Sequence, residues 1–317
     1  MKITAIVPVW NGRDLLARLL TTLELQSLQV SELLIVDNGS TDGAPEMARD
    51  RGARVIGMGG NAGFAAAVNR GIREAAHPLL AILNSDVELA PDYLEKLASA
   101  GAPFATGKIL TPAGLLDGTF DMTCRGGTTW RCGAGQPDGP PFDQAREIHS
   151  PPWTAVLYRA EVFREVGMLE ESFESYLEDA DFGLRCAARG ITGRYLPEAR
   201  AAHRGSASLG RWHGETVRRM SRNQLLLVAR HWDGRYWWPV LVAQSLWGVV
   251  ALRHGCGVEW LRGKWQGISR FSSSRKHNLP AQSAALEKIL QHNERFISIQ
   301  TADAYWKLYF LLTAGAK

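Results

Sequence analysis

The sequence predicts an α/β fold in which helices cover both faces of a mainly parallel sheet, followed by a C-terminal helical region. Short β-rich runs alternate with helical periodicity through the first half of the chain, and this alternation is typical of parallel strands joined by helices. From Arg218 onward the apolar residues recur at helical spacing instead. A chain of 317 residues with 45% hydrophobic content is long enough to bury a sizeable core.

The first two predicted strands each end in polar turn residues. Lys2–Val9 is a β-rich run that ends before Asn11 and Gly12, and the leucines after it recur at the spacing of a helix. Leu33–Val36 is a second apolar run, which the turn cluster DNGSTD at 37–42 ends. These runs predict the first strand–helix–strand unit of the sheet.

Two more strands follow in the same pattern. Arg54–Met58 predicts the third strand, Gly63–Ala76 predicts a helix with one apolar face, and Leu79–Leu83 predicts the fourth strand. The segment from Thr111 to Ile148 is rich in glycine, proline and polar residues and has little periodicity. It predicts a long irregular loop or a small hairpin, and long loops inside compact domains are usually functional or disordered.

The C-terminal region predicts four helices and no membrane span. Its longest apolar run has roughly 14 residues, fewer than the ~20 that a helix needs to cross a bilayer. The N-terminus shows none of the features of a secretory signal peptide. We therefore expect a cytoplasmic chain, either free or peripheral on the inner face of the cell membrane. The predicted helices are Met220–Ala229, Pro239–Leu252, Val258–Ile268 and Leu286–Leu312.

Charge and tryptophan are distributed unevenly along the chain. Residues 211–317 hold 16 Lys and Arg against 6 Asp and Glu, whereas residues 1–210 hold 20 against 26. Eight of the eleven tryptophans also lie beyond residue 210. Basic residues mixed with Trp on apolar helices favour contact with an anionic membrane surface. A helical bundle that packs on the first domain or forms a homodimer is the alternative, and the low lysine content argues against nucleic-acid binding.

The four cysteines do not form a metal-binding or redox motif. None of them has the CxxC spacing, so we expect them to be packing residues in a reducing compartment. A pairing of Cys124 with Cys132 is the alternative that the spacing leaves open.

Polar residues collect where the four predicted strands end. In an open α/β sheet, ligands bind beyond the carboxyl ends of the strands. Ordinary turn chemistry explains any one of these strand ends, because the same residue types dominate turns. All four together predict one cleft for a polar ligand. The residues are Pro8 to Asn11, Asp37 to Gly39, Gly59 to Asn61 and Asn84 to Asp86.

Asp86 and His203 are the candidate metal ligands. Asp86 ends a strand with Asn84 two residues before it, which is similar to the Asp-x-Asp motif of nucleotide-sugar enzymes with its first acid replaced. A carboxylate there suits Mg²⁺ or Mn²⁺ shared with a diphosphate. His203 follows a strand-like run, and neutral imidazole also binds divalent ions well.

Glu178, Asp179 and Asp181 are the candidate catalytic acids. Three carboxylates within four residues repel one another, which raises at least one pKa and favours a general base. The alternative is a solvated helix start, because acids are common in the first turn of a helix.

Seven segments form an ordered set of motifs that extends from residue 3 to about residue 232. The segments are IVPVWNG (6–12), LLIVDNGSTDG (33–43), NAGFAAAVNRGI (61–72), LLAILNSDV (79–87), YLEDADFGLR (176–185), YLPEARAAHRGSAS (195–208) and SRNQLLLVARHW (221–232). In this order they resemble the family 2 inverting glycosyltransferases of the GT-A fold, and most closely their bacterial rhamnosyltransferase-like branch.

The resemblance implies a mixed GT-A sheet that binds a nucleoside-diphosphate sugar. It implies a catalytic domain over residues 1–212, with the nucleotide bound by about 1–110 and the acceptor side formed by about 111–212. Residues 213–317 would then be a separate helical, basic, Trp-rich region. The expected donor is dTDP- or UDP-linked, and the expected acceptor is a saccharide or a polyprenyl-linked sugar of bacterial surface polysaccharide.

The resemblance also assigns roles to the candidate residues. Asp37 would hydrogen-bond the base, with Pro8, Asn11 and Asn84 also on the nucleotide side, and Asn61 and Gly63 would let the backbone approach the donor. Asp86 and His203 would hold Mn²⁺ or Mg²⁺. Asp179 would be the general base of a single inverting displacement, supported by Glu178 and Asp181.

Two positions depart from the family pattern. Asn84 replaces an acid, which leaves fewer direct ligands for a metal ion. The segment SPPWTAV at 150–156 places Trp153 and two prolines where relatives have small residues. We therefore expect Trp153 to reshape the acceptor side and the acceptor to be unusual.

Two other functions fit parts of the sequence. The residues from Gly57 to Ala62 match the G-x-G-x-x-A pattern of a dinucleotide-binding dehydrogenase, but they follow the third strand rather than the first. A degenerate family member that acts as a scaffold at the membrane would not need Asp86, Asp179 and His203.

Overall fold

The computed structural model describes residues 1–204, 212–275 and 280–315. The chain folds into two compact units. The first consists of Met1–Asp121, Arg131–Cys186 and Ile191–Ser208, and the second of Met122–Trp130, Ala187–Gly190 and Leu209–Lys317. Residues 205–208 of the YLPEARAAHRGSAS motif lie outside the described residues.

The main sheet belongs to the first unit and contains ten strands among the described residues. The strands of this sheet are β1 (Ile3–Val9), β2 (Glu32–Asp37), β3 (Arg54–Gly57), β4 (Leu79–Leu83), β5 (Val87–Leu89), β6 (Phe104–Leu110), β7 (Leu116–Gly118), β10 (Arg146–Ile148), β11 (Ala155–Arg159) and β12 (Gly193–His203); β8 (Asp121–Thr123) and β9 (Thr129–Arg131) form a separate hairpin. The order along the sheet is β10-β12-β6-β11-β4-β1-β2-β3, with β5 paired to β12 and β7 paired to β6.

The sheet is mixed, as predicted. Its four N-terminal strands are parallel because a helix or loop returns the chain to the same edge between them. Strand β11 runs antiparallel between β4 and β6, and β12 is parallel to β6. The first four strands and the alternation with helices are therefore confirmed.

Helices cover the sheet because each has one apolar face. In α1 the side chains of Leu16, Leu19 and Leu23 are buried at helical spacing and pack with Ile3 and Val7 of β1. The helices of this unit are α1 (Arg13–Glu24), α2 (Ala44–Asp50), α3 (Phe64–Glu74), α4 (Tyr93–Ser99), α5 (Ala160–Val166) and α6 (Glu178–Ala187), with a 3₁₀ turn at Glu171–Phe173.

The segment from Thr111 to Ile148 contains the predicted small hairpin, which is β8–β9, and two strands that the sequence did not predict. Strand β7 extends the main sheet beside β6, and β10 extends it beside β12. Each is three residues long, too short to produce an alternating pattern in the sequence. These strands form because longer neighbouring strands supply hydrogen-bonding partners.

The second unit is helical. Its helices α7 and α9 pack so closely that a Cβ on Gly263 would lie 2.3 Å from the carbonyl oxygen of Arg218. The helices are α7 (Gly214–His231), α8 (Trp237–Arg253), α9 (Gly257–Ser274), α10 (Pro280–Gln300) and α11 (Ala304–Thr313). In the described residues, no helix combines the length and the apolar composition that crossing a bilayer requires.

The predicted helix Leu286–Leu312 is wrong as a single element. It is divided between α10 and α11. The side chain of Asp303 accepts a hydrogen bond of 2.8 Å from the amide of Tyr305 and so caps the start of α11. An acid that bonds the backbone two residues on competes with a continuous helix, so the apolar periodicity hid a helix start.

Candidate active site

The carboxyl ends of β1 and β2 hold the residues expected to contact the nucleotide. Val9 lies opposite Asp37 in the parallel register, so both strands end at the same height. Asn11 has a φ of +60°, a conformation that Asn tolerates better than most residues. Its side-chain oxygen accepts a hydrogen bond of 3.0 Å from the amide of Thr41, and a carboxylate oxygen of Asp37 accepts one of 3.0 Å from the amide of Ser40. Asn11 and Asp37 therefore shape one loop.

Pro8 lies within β1, buried and opposite Val36 in the register. It is the last residue but one of the strand, directly before the end that leads into this loop. Proline in a central strand removes one hydrogen-bond donor from the sheet, which makes this position unusual for a purely structural residue.

A loop at residues 61–63 is tied to the same strand end by Asn38, a buried residue that the sequence places at the predicted cleft without a role of its own. The side chain of Asn38 donates to the carbonyl oxygen of Gly63 at 3.2 Å and accepts from the amide of Ala62 at 3.4 Å. The side-chain oxygen of Asn61 accepts from the amide of Gly63 at 3.1 Å. The sequence gives Asn38 no individual role because asparagine in a DNGS cluster is also ordinary turn chemistry.

Any residue other than glycine at position 63 would require the backbone to shift. Its φ is +88°, and a Cβ would lie 2.8 Å from the carbonyl oxygen of Glu174. That same oxygen accepts a hydrogen bond of 2.9 Å from the amide of Ala65. The start of α3 therefore lies directly against the segment that leads into the acidic helix α6.

Asp86 and His203 are brought together by strand pairing. Strand β5 runs antiparallel to β12 with Val87 opposite His203, so the residue before β5 lies beside the end of β12. The Nε2 atom of His203 is 3.1 Å from a carboxylate oxygen of Asp86. Asn84 lies two residues before Asp86, and its amide donates to the carbonyl oxygen of Thr154 at 2.9 Å.

A third residue, Asp117 of β7, completes this group, and the sequence analysis missed it. Its carboxylate oxygen is 2.9 Å from Nδ1 of His203, on the opposite side of the ring from Asp86. Burial alone would lower the pKa of His203, but the hydrogen bonds to Asp117 and Asp86 raise it to about 9. Burial opposes ionisation of Asp117 as well, yet its hydrogen bond to His203 lowers its pKa.

The donor set of this group suits a divalent ion. Asp86 offers a carboxylate oxygen and His203 an imidazole nitrogen, and both are accepted by Mn²⁺ and, for the carboxylate, by Mg²⁺. In the described residues no group of three or more ligating side chains surrounds one point. The remaining coordination positions would have to be filled by a diphosphate and water, as is usual for Mg²⁺. Asp117 would hold the ring with Nε2 directed at the ion.

Asp179 has a raised pKa and a small set of identified partners. Its Oδ1 atom accepts a hydrogen bond of 2.8 Å from the amide of Ala180. Burial, followed by the negative charge of Asp121, raises the pKa of Asp179 to about 6, against the opposing charge of Arg131. A carboxylate with this pKa is ionised at neutral pH and is a stronger base than an exposed aspartate.

Arg131 connects Asp179 with the hairpin and with Asp117. It stands at the end of β9, where its Nε and Nη2 atoms donate to the two carboxylate oxygens of Asp121 at 3.2 and 3.1 Å. Its Nη2 atom is 3.5 Å from a carboxylate oxygen of Asp179. The charges of Asp121, Asp179 and Asp117 together hold the pKa of Arg131 well above its usual range, although burial acts in the opposite direction.

Gly118 makes room for this arginine. A Cβ on Gly118 would lie 2.6 Å from Cδ of Arg131, so the aliphatic part of the arginine packs on the backbone next to Asp117. Asp121 and Arg131 were missed because they lie in the segment without periodicity, where an acid and a basic residue ten positions apart give no signal.

Glu178 and Asp181 have surroundings different from those of Asp179. Glu178 is buried, and its Oε2 atom has no hydrogen-bond partner within the described part of the chain. Burial and the neighbouring charge of Asp179 raise its pKa well above the usual value. Asp181 is fully buried and accepts from Nε of Arg185 at 2.9 Å, and Arg185 also donates to the carbonyl oxygens of Val166 and Met168.

Strained backbone precedes these acids. Glu174, Tyr176 and Leu177 all have φ between +60° and +74°, a region in which residues other than glycine are uncommon. Such conformations persist only where the surroundings enforce them, and they concentrate at functional sites. This strained segment leads directly into α6, which has Glu178 and Asp179 in its first turn.

Trp153 lies in the core and not on an open surface. Its side chain is 2% exposed and packs edge-on against Phe163 and Phe182. Its backbone amide, however, hydrogen-bonds the carboxylate of Asp179. The SPPWTAV segment therefore reaches the acidic group through its backbone, while the indole anchors that backbone among aromatic rings.

The four cysteines are free and buried. Their sulfur atoms are packing groups, and burial raises the pKa of Cys124 to about 11.

Comparison with known proteins agrees with this architecture. Residues 4–101 match the family model described as Glycosyl transferase family 2. The N-acetylglucosaminyl-diphospho-decaprenol L-rhamnosyltransferase of Mycobacterium tuberculosis is 28% identical over 270 residues, which cover 75% of this chain and 87% of that protein. The O-antigen biosynthesis protein RfbC of Myxococcus xanthus is 30% identical over 229 residues, 65% of this chain and 18% of that protein.

Solved structures show the fold. The crystal structure of GalNAc-T7 with UDP, GalNAc and Mn²⁺ superposes with a TM-score of 0.62 at 14% identity, over 85% of this chain and only 57% of that one. The mannosyltransferase PcManGT from Pyrobaculum calidifontis, in complex with GDP-Man and Mn²⁺, superposes with a TM-score of 0.51 at 14% identity, over 99% of this chain and 87% of that one. Residues 4–101 therefore resemble glycosyltransferase family 2, and the chain has the fold of these solved glycosyltransferases, the GT-A fold.

Proposed function

We propose that this chain is an inverting glycosyltransferase of bacterial surface polysaccharide synthesis. In this proposal it moves a sugar, rhamnose or another hexose, from a dTDP- or UDP-linked donor to a saccharide or polyprenyl-linked acceptor. The observation that carries the proposal is that Arg131 contacts Asp179 and acts electrostatically on Asp117, so that a candidate base and a candidate metal group share one cation. The similarity to the mycobacterial rhamnosyltransferase supports the sugar and acceptor classes.

The donor is proposed to lie across the ends of β1, β2 and β4. Asp37 would hydrogen-bond the base, with Pro8 and Asn11 forming the wall of the nucleoside pocket. Asn61 and Gly63 would present backbone to the donor, because Gly63 has no side chain to obstruct that approach. Asn84 would lie on the nucleotide side of Asp86.

Asp86 and His203 are proposed to hold Mn²⁺ or Mg²⁺ on the diphosphate. The ion, when bound, would stabilise the negative charge that develops on the departing diphosphate. His203 must then release the proton from Nε2, while Asp117 keeps the proton on Nδ1 and so fixes the direction of the ring.

Asp179 is proposed to be the general base. It would accept the proton of the acceptor hydroxyl while that oxygen bonds to the anomeric carbon and the bond from this carbon to the diphosphate oxygen breaks. Attack from the face opposite the leaving group inverts the anomeric centre. Glu178, whose pKa burial raises, and Asp181, paired with Arg185, would support Asp179 from the same helix.

We place the catalytic domain at residues 1–212 and the helical, basic region at 213–317. The acceptor side would be formed by about 111–212, with the SPPWTAV backbone at Trp153 beside Asp179. A lipid-linked acceptor would require the enzyme to work as a peripheral protein on the inner face of the membrane.

The test is hydrolysis of a panel of nucleotide sugars, namely dTDP-rhamnose, UDP-glucose, UDP-galactose, UDP-GlcNAc and GDP-mannose, with Mn²⁺ or Mg²⁺. We expect slow release of one nucleoside diphosphate that EDTA and Asp86→Ala abolish. Asp50→Ala is the matched control, because Asp50 is exposed at the end of α2. Absence of both turnover and calorimetric binding for every nucleotide would reject the proposal in favour of a scaffold.

A further inference from the structure

One surface of the second unit carries apolar side chains that no described part of the chain covers. On α9 the exposed residues Val258, Leu261, Trp265 and Ile268 recur every three or four positions, so they lie on one side of the helix. Trp265 is 73% exposed. The opposite side of α9 is occupied, because Gly263 and Gly267 pack against α7.

Helix α8 continues this surface. Its exposed residues Trp237, Leu241, Val249 and Leu252 also fall on one side of the helix. A Cβ on Gly257, at the start of α9, would lie 3.0 Å from Cδ1 of Leu252. The apolar sides of α8 and α9 therefore meet at the turn between these helices.

Helix α11 extends the surface at the other end of α8. The indole nitrogen of Trp238 donates a hydrogen bond of 2.9 Å to the carbonyl oxygen of Leu312. Leu311 and Leu312 are both exposed beside this contact. We call the exposed apolar sides of α8, α9 and α11 the apolar face.

The charges on these helices are almost all positive. Together α8, α9 and α11 contain five Lys and Arg and a single acid, Glu259. Arg253 on α8 and Lys307 on α11 are exposed next to the apolar residues, and neither has a carboxylate partner in the ranges that the structure describes. Apolar side chains with Trp and flanking basic groups are the combination that inserts into the headgroup region of an anionic bilayer.

We propose that the apolar face docks the enzyme on a bilayer of anionic phospholipid, with Trp237 and Trp265 in the headgroup region. A second copy of the chain fits this face less well, because a symmetric contact would bring the same basic residues of both copies together. The inference rests on the proposed function only in that a lipid-linked acceptor places the enzyme at a membrane.

The test is co-sedimentation of the full chain with vesicles of phosphatidylcholine alone or with 30% phosphatidylglycerol, without nucleotide. We expect binding to the anionic vesicles and a loss of about ten-fold or more in apparent affinity for the double variant Leu261→Glu/Trp265→Glu. Leu25→Glu is the matched control, because Leu25 is 64% exposed in the first unit, and it should bind like the parent chain.

A second variant, Arg253→Ala/Lys307→Ala, removes charge without touching apolar packing and should weaken binding to the anionic vesicles about ten-fold. Donor hydrolysis without vesicles should be unchanged in both variants, which separates docking from catalysis and also reports folding. Equal binding by the parent and the double variant would overturn the proposal. So would a parent that binds no vesicles and sediments as a dimer that Leu261→Glu/Trp265→Glu dissociates. Vesicle binding by a chain that neither hydrolyses any donor nor binds any of the nucleotides in calorimetry would uphold docking and reject the proposed function.

Discussion

The two acidic groups of the first unit each place buried carboxylates beside a cationic side chain, but the pKa values of their aspartates shift in opposite directions. Around His203, the carboxylates of Asp86 and Asp117 flank an imidazole, and the pKa of Asp117 is lowered. Around Asp179, burial and the charge of Asp121 raise the carboxylate pKa to about 6. Burial raises the pKa of both aspartates, so the opposite directions of their net shifts follow from their charged partners, a cationic ring for Asp117 and a second acid for Asp179.

This difference matches the two tasks proposed for the groups. A ligand for a divalent ion works best as a fully ionised carboxylate, whereas a general base works best with a pKa close to the operating pH. Arg131 is the point at which the two groups meet, because its charge acts on Asp117 as well as on Asp121 and Asp179.

The largest effect is expected when the proposed general base, Asp179, is replaced. Asp179→Asn should lower the turnover of donor and acceptor about 100-fold or more, because the amide cannot accept the acceptor proton. Donor binding measured by calorimetry should stay within about two-fold of the parent. Asp50→Asn is the control, and a turnover for Asp179→Asn within ten-fold of the parent would remove this residue from the role of base.

The next effect is on the metal group. Asp117→Asn should weaken Mn²⁺ binding in the presence of the nucleoside diphosphate about 10- to 100-fold, because His203 loses the partner that fixes its ring. Electron paramagnetic resonance of free Mn²⁺ measures this directly. Unchanged Mn²⁺ affinity would show that Asp117 does not orient a metal ligand.

Replacing Asp121 or Arg131, the two charged neighbours of Asp179, should have smaller effects, and these should shift the pH profile in opposite directions. Asp179 must be ionised to act as a base, so kcat/KM falls as the pH drops through its pKa, near pH 6. Asp121→Asn removes a negative charge and should move this acidic limb to lower pH by about one pH unit. Arg131→Gln removes a positive charge and should move the limb to higher pH. Shifts in the same direction would contradict the electrostatic account.

The smallest effect is expected from Gly63→Ala, which leaves the charges of both groups unaltered. The new Cβ would collide with the carbonyl oxygen of Glu174, and the alanine would have to keep an unfavourable positive φ. Together these effects should lower the free energy of unfolding by about 1–3 kcal/mol. Thermal unfolding measures this cost. The pH profile should keep its acidic limb near that of the parent, and a displaced limb would mean that the loop at 61–63 also tunes Asp179.

Long elements and ordered motifs were readable from the sequence. The four parallel strands and the α1 and α3 helices were predicted because each has several periodic apolar residues. The division between α10 and α11 is also indicated in the sequence, by the helix-capping residue Asp303. The apolar periodicity that continues across Asp303 was the stronger signal and concealed this division. Asp86, His203 and Asp179 were singled out because they stand at strand or helix ends within recognisable segments.

Asp117, Asp121 and Arg131 were decided only by the tertiary structure. They lie in strands of only three residues, which form because neighbouring strands pair with them. A strand this short leaves no recognisable hydrophobic periodicity in the sequence. The opposite pKa shifts of Asp117 and Asp179 follow from burial and from partners distant in sequence. The family resemblance, the order of the main elements and most candidate residues follow from local pattern and could therefore be read from the amino-acid sequence. Which carboxylate is a base and which is held ionised depends on distances across the fold, and only the folded chain specifies those.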